Sequence, residues 1–158
     1  MTDQPTPDDI ADLHEILRRI VVREAPREAR ARDAAAAIRT FADFRWVGLY
    51  DVGVDVVAAI AWTGDEPPAF PVFPRTRGLT AAAIASRTTI VANDVSCDSR
   101  YLTAFATTGA EMIVPVVCVA GGVVGTVDVE SSRVGAFGPW ERALVESCAA
   151  ILSPLWPS

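Results

Sequence analysis

Residues 111–119 read Glu111-Met112-Ile113-Val114-Pro115-Val116-Val117-Cys118-Val119, and residues 121–130 read Gly121-Gly122-Val123-Val124-Gly125-Thr126-Val127-Asp128-Val129-Glu130. Two apolar, β-branched runs joined by paired glycines predict a β-hairpin with its turn at Gly121-Gly122. The second run alternates strictly. Thr126, Asp128 and Glu130 point to one side of the sheet, Val127 and Val129 to the other. One face of this hairpin must therefore lie on apolar partners, while the other carries acids.

The partners are visible on either side. Upstream, Trp46–Val52 and Asp55–Trp62 predict two more antiparallel strands with a turn at Gly53. The stretch 63–74, with Gly64, Pro67, Pro68, Pro71 and Pro74, reads as a loop. A short helix is expected over 80–86 and a strand over 88–92. Residues 93–109 then form a long, mostly irregular segment with a turn of helix near Tyr101, and loops of that length are usually functional or mobile.

Helices are expected at both ends. Thr6 can cap the first, Pro7 suits its first turn, and Asp8 and Asp9 favour its positive end. Ile10, Leu13, Ile16, Leu17, Ile20 and Val21 fall on one stripe, and Pro26 ends or kinks the helix. An alanine-rich second helix places Ile38 and Phe41 on its apolar side. Gly138-Pro139 opens the last helix, whose stripe is Leu144, Val145, Cys148, Ile151 and Leu152, and Pro154 stops it. The predicted class is α+β. An antiparallel sheet has N- and C-terminal helices on one face and a loop-covered pocket on the other. A single domain spans 1–158, with N-terminal helices over 7–44, sheet and pocket over 45–131, and the C-terminal helix over 138–153.

Composition narrows the function. The chain has 158 residues and a net charge of −6, which argues against nucleic acid as its main partner. No run approaches the roughly 20 apolar residues of a membrane helix. The start, Met1-Thr2-Asp3-Gln4, lacks the features of a signal peptide, so a cytoplasmic protein is expected. The early arginines, Arg18 to Arg32, are interleaved with acids and read as a solvated helix surface. All 14 basic residues are arginine. Schiff-base chemistry and a Walker phosphate loop are thereby excluded, since both need lysine. The one histidine is His14, so neither a multi-histidine metal site nor a serine triad is expected. The three cysteines, Cys97, Cys118 and Cys148, have no zinc-binding spacing. No metal and no cofactor are expected.

Glu111 can join Asp128 and Glu130 on the acidic face. That face is either a solvated sheet surface or a pocket floor that holds an amine or guanidinium. Trp46, Tyr50 and Trp62 are either core or the apolar wall of such a pocket. Cys97 lies in the long loop between Asp94 and Tyr101, where Asp98 disfavours a thiolate and Arg100 favours it. Cys118 and Cys148 read as packing residues.

Together these segments resemble the GAF family, most closely the branch that includes free methionine-(R)-sulfoxide reductases. The matching segments are Trp46-Val47-Gly48-Leu49-Tyr50, Arg77-Gly78, Asp94-Val95, Glu111-Met112-Ile113-Val114-Pro115 and Gly125-Thr126-Val127-Asp128-Val129-Glu130-Ser131, in order. The resemblance implies that Glu111, Asp128 and Glu130 hold a ligand, with Trp46 and Tyr50 near the aromatic part of the pocket. It also implies that the branch's chemistry is missing. The attacking cysteine is replaced by Ala104, seven residues before Glu111, and the cysteine after the Arg-Gly pair by Thr80. Sulfoxide reduction needs a thiolate that attacks sulfur and a second thiol that closes the disulfide. Haem-, bilin- and cyclic-nucleotide-binding members resemble this chain less, for want of a pocket histidine, a Cys-His pair and a lysine.

The expectation is a non-catalytic module for a small polar metabolite such as an amino acid derivative, with Arg75 or Arg77 at the pocket mouth. The alternatives are a diverged thiol enzyme using Cys97, and a structural dimerisation module whose terminal helices pair with a second copy, as in many GAF dimers.

Overall fold

A computed structural model describes residues 4–103 and 105–157. Among these, the elements run α1 (Pro7–Val22), α2 (Arg27–Ala42), β1 (Trp46–Val52), β2 (Val56–Thr63), β3 (Val72–Pro74), α3 (Gly78–Ser86), β4 (Ile90–Ala92), β5 (Ala110–Val117), β6 (Val123–Ser131) and α4 (Pro139–Leu152). Single 3-10 turns occupy Val95–Cys97 and Ser153–Leu155.

The helix ends follow from local chemistry. Thr6 Oγ1 accepts from the Asp9 amide at 3.2 Å, and the Asp9 carboxylate accepts from the Thr6 amide at 2.8 Å, a reciprocal cap. Pro26 separates α1 from α2, and Pro139 begins α4, where the Glu141 carboxylate accepts from the Gly138 amide at 2.8 Å.

The strands form one antiparallel sheet in the order β3-β2-β1-β6-β5-β4. Register fixes its two faces, because residues paired across strands point the same way. Val47 pairs with Val129, Leu49 with Val127, and Met112 with Val129. These side chains face α1, α2 and α4 and form the main core with Leu13, Leu17, Ile38, Leu144, Cys148 and Leu152. The opposite face is covered by α3 and the two long loops, so the α+β sandwich is as expected.

Three local expectations are corrected. β3 lies inside the predicted loop 63–74. Its three residues, closed by Pro74, carry almost no local strand signal, and pairing with β2 makes them a strand. The helical turn in the long loop sits at Val95–Cys97 rather than near Tyr101, because the Asp94 carboxylate caps it by accepting from the Ser96 amide at 3.1 Å. The strand expected to reach Val119 ends at Val117, since the turn closes where Cys118 N–H donates to Gly122 O at 2.9 Å.

The apolar stripes of the terminal helices are used within the chain. Leu13, Leu17, Ile20 and Val21 of α1 and Leu144, Val145, Cys148 and Leu152 of α4 are all buried. Ile16 departs from the expected stripe and is 49% exposed. Among the described residues no helix is long and apolar enough to cross a membrane.

Candidate functional site

Strand register builds the site. Glu130 of β6 pairs with Trp46 on one side and Glu111 on the other. Asp128 pairs with Gly48 and Ile113, and Thr126 with Tyr50 and Pro115. The three acids and both aromatic residues therefore share the face away from the main core. All three acids are buried: Glu111 is 7% exposed, Asp128 9% and Glu130 1%.

Three layers seal this face. Leu79 and Ala83 of α3 pack with Ile113 and Val95. Phe105, from the long loop, lies on Trp46 with ring centroids 5.5 Å apart. Phe73 of β3 meets Tyr50 edge-on at 6.0 Å. The long loop is tied down where Val95 N–H donates to Gly109 O and Gly109 N–H to Ser131 O, at 3.0 and 2.8 Å.

A cavity of about 30 Å³ remains beneath the layers. Glu111, Asp128 and Tyr50 form its floor and wall, Thr80 of α3 faces it, and Phe70 and Leu102 close it from the two loops. Of the five expected ligand residues, Tyr50, Glu111 and Asp128 line this space. Trp46 and Glu130 lie beside it under a separate roof. The Thr108 hydroxyl donates to Glu130 Oε2 at 3.2 Å, Arg45 Nη1 lies 3.4 Å from that hydroxyl, and the Arg45 guanidinium sits 5.1 Å above the Phe105 ring. Trp46 Nε1 donates to Glu66 O at 3.1 Å.

The acids cannot all ionise in so dry a space. Burial, followed by the charges of Asp128 and Glu130, pushes the Glu111 carboxyl well above the usual range. Burial and Glu130 do the same to Asp128. Glu111 and Asp128 crowd each other, and the contact between them raises Glu111 further while opposing the rise at Asp128. Burial pushes Glu130 up to about 7, against the opposing pull of the Thr108 hydroxyl and Arg45. Tyr50 is held as the neutral phenol by burial and the nearby acids. Asp128 Oδ1, Glu130 Oε1 and Thr126 Oγ1 are buried without a hydrogen-bond partner.

Gly48 makes room for the aromatic wall. A Cβ there would lie 2.3 Å from Trp46 Cη2 and 3.0 Å from Tyr50 Cε2. Gly48→Ala is expected to lift Trp46 off Phe105 and cost about 1–3 kcal/mol, read as a lower denaturant midpoint with an unchanged slope.

The remaining sequence candidates lie elsewhere. Cys97 is exposed, and its thiol donates to Asp94 Oδ2 at 3.5 Å. Asp98 and Arg100 pair with each other at 2.6 Å instead of serving that thiol. Ala104 lies outside the described residues. Arg75 turns away from the cavity, donating to Gly53 O at 2.9 Å. Arg77 stands with Arg100 in a groove outside it, and Gly78 and Leu102 line both spaces. Sequence reasoning missed Arg45, Phe105 and Thr108. Phe105, with Tyr101 and Leu102 among the large apolar residues of that loop, was the signal available for the roof.

A family model for the GAF domain matches residues 26–153. No curated protein matches the chain. Among solved structures, the type II free methionine-R-sulfoxide reductase from Thermoplasma acidophilum aligns with a TM-score of 0.76 at 25% identity, covering 91% of this chain and 94% of that one. The free methionine-R-sulfoxide reductase from Neisseria meningitidis, solved with its substrate, aligns with a TM-score of 0.84 at 21% identity, covering 99% and 94%. The GAF domain from an Acinetobacter phosphoenolpyruvate-protein phosphotransferase aligns with a TM-score of 0.83 at 13% identity, covering 95% and 93%. At those identities the last two show the fold alone.

Proposed function

The chain belongs to the GAF domain family, and from that premise we propose that it binds a small metabolite through a cationic group and does not transform it. One observation carries this reading: Asp128 Oδ1 and Glu130 Oε1 are buried beside Glu111, and no cationic or amide donor reaches either oxygen. A buried carboxylate without a partner is costly, and an ammonium or guanidinium group removes that cost by donating to it. Among the described residues no group of three or more His, Cys, Asp and Glu side chains is placed to hold a metal ion, which favours an organic cation. Arg77 and Arg100, beyond the wall formed by Gly78 and Leu102, suit an anionic end of the same ligand. An amino acid or a derivative has both charges.

The cavity in this state has about 30 Å³, enough for one or two waters, whereas ligand sites usually hold about 300 Å³ or more. Entry therefore requires Phe70 and Leu102 to move outward with their loops. Their closure over a ligand is the proposed route by which occupancy reaches a partner.

The likeness to the Thermoplasma enzyme favours a second reading, reduction of methionine sulfoxide. The site opposes it. Thr80 lines the cavity where the resemblance calls for a cysteine, and Cys97 is not among the lining residues.

Thermal-shift screening of amino acids and simple amines at pH 8 tests the binding reading. A ligand at a hundredfold its Kd stabilises the native state by about 2.7 kcal/mol, a shift of several degrees. That shift is expected to vanish in Asp128→Asn. A panel without a hit, or a hit indifferent to Asp128→Asn, overturns the binding site. Turnover of methionine sulfoxide with a thiol reductant, lost in Cys97→Ser, overturns the non-catalytic reading.

A further inference from the structure

Asp128 and Glu130 are alternate residues of β6, and Val129 between them is turned into the main core. Alternate residues of a strand lie about 6.8 Å apart on one face. That face therefore carries two carboxyls in line. Each has one buried oxygen, Asp128 Oδ1 and Glu130 Oε1, that no cationic or amide donor reaches. Asp128 is only 9% exposed, and its carboxyl lines the cavity. Among the described residues no arginine lines that space. Arg45 stops short of Glu130: its Nη1 lies 3.4 Å from the Thr108 hydroxyl, and that hydroxyl is what reaches the carboxylate.

The number of charges decides what fits. A ligand with one ammonium group satisfies one of these two oxygens and leaves the other buried without a cation. Two ammonium groups satisfy both, leaving Glu111 as the neutral acid between them and β5. Each position also has aromatic neighbours. Tyr50 and Phe73 flank the space at Asp128. Trp46 pairs with Glu130 across the sheet, and Phe105 lies on Trp46. Ring faces attract cations, and Phe105 already holds the Arg45 guanidinium 5.1 Å from its centroid.

We propose that the ligand of this site carries two ammonium groups four carbons apart, one held by Asp128 and the other by Glu130. The inference rests on the binding reading above and narrows it. Four carbons place the two nitrogens about 6 Å apart in an extended chain, close to the strand repeat. Ornithine and putrescine both have this spacing. Ornithine adds a carboxylate that suits Arg77 and Arg100 beyond Gly78 and Leu102; putrescine leaves that groove unused. Either ligand requires Phe105 to lift from Trp46, besides the outward movement of Phe70 and Leu102.

Calorimetric titration at pH 8 with two matched pairs tests the proposal: putrescine against butylamine, and L-ornithine against L-norvaline. The members of each pair differ only in the second amine. The diammonium member is expected to bind roughly tenfold more tightly or better. Glu130→Gln should erase that advantage by weakening the diammonium member, and Asp128→Asn should abolish binding of all four. Ornithine binding more tightly than putrescine identifies an amino acid as the source of the two charges; an equal or reversed order identifies a free diamine. Both orders support the proposal. If each monoamine binds as tightly as its diammonium counterpart, or the advantage survives Glu130→Gln, the two-ammonium inference falls and the single-cation site stands. If none of the four binds, the inference falls, and the binding reading falls with it only when the wider screen of amino acids and amines is also silent.

Discussion

Glu130→Gln is expected to raise the melting temperature of the ligand-free protein by roughly 5–10 °C at pH 8.5 and to leave it nearly unchanged at pH 5. The sign follows from proton binding. Unfolded, Glu130 ionises near the ordinary value of 4.5; folded, it holds its proton up to about 7. Between those values the native state binds more protons than the unfolded state, so stability falls as pH rises, and above about 7 the loss is complete. The full shift corresponds to about 3 kcal/mol, and solvation of an opened site would reduce it to about 2–3 kcal/mol. Glutamine stays neutral and avoids this loss. Its carbonyl can accept from Thr108, and its amide takes the place of the unpartnered Oε1, facing Glu111 across the strand pair. The same variant should bind a cationic ligand less tightly, which would show that the buried acids trade stability for binding. Melting curves at pH 5, 7 and 8.5 decide the matter. If Glu130→Gln melts at or below the wild-type temperature at pH 8.5, the buried acids are not the strained feature proposed here.

Trp156→Ala is the second large effect, expected to cost about 3–5 kcal/mol and about 10 °C or more of melting temperature. Trp156 is 5% exposed, although it follows the proline that stops α4. Its indole N–H donates to Tyr50 O at 3.0 Å, and its ring lies on Gly125, where a Cβ would fall 2.0 Å from Nε1. Arg27 secures the same segment, with Nε donating to Leu155 O at 2.6 Å and Nη1 to Asp51 Oδ2 at 2.8 Å. Removing the indole opens a cavity beside the main core and frees the Tyr50 carbonyl. Because the Tyr50 ring walls the cavity at the acids, ligand affinity should fall as well. Gly125→Ala should act in the same direction at about 1–3 kcal/mol, by forcing the ring off the strand. Should Trp156→Ala melt within a degree or two of wild type, the segment after α4 is an ornament on the fold rather than part of it.

The two sites differ in how legible they were. The acidic face could be read in advance because alternation along β6 is a local property: Thr126, Asp128 and Glu130 must share a side whatever else the chain does. Glu111 joined them through the hairpin, whose register follows from a short turn. Helix ends were readable for the same reason, since Thr6 and Asp9 meet within one turn. The dependence on Trp156 had no such signal, because its partners, Gly125 and Tyr50, are 31 and 106 residues away.

By itself, then, the sequence determined the helices, the central hairpin and the polarity of the sheet faces, all of which rest on neighbours a few residues apart; that Ala104 and Thr80 stand where the branch carries cysteines is what the resemblance implies. Tertiary structure decided that α3 and two loops bury the acids instead of leaving them in water. It also placed Glu130 under Thr108 and Arg45 while Asp128 and Glu111 floor the cavity, and it turned a proline-flanked stretch into β3. Those outcomes depend on which distant segments come to lie over the sheet, and burial, which sets the charge of each carboxyl, exists only once they have done so.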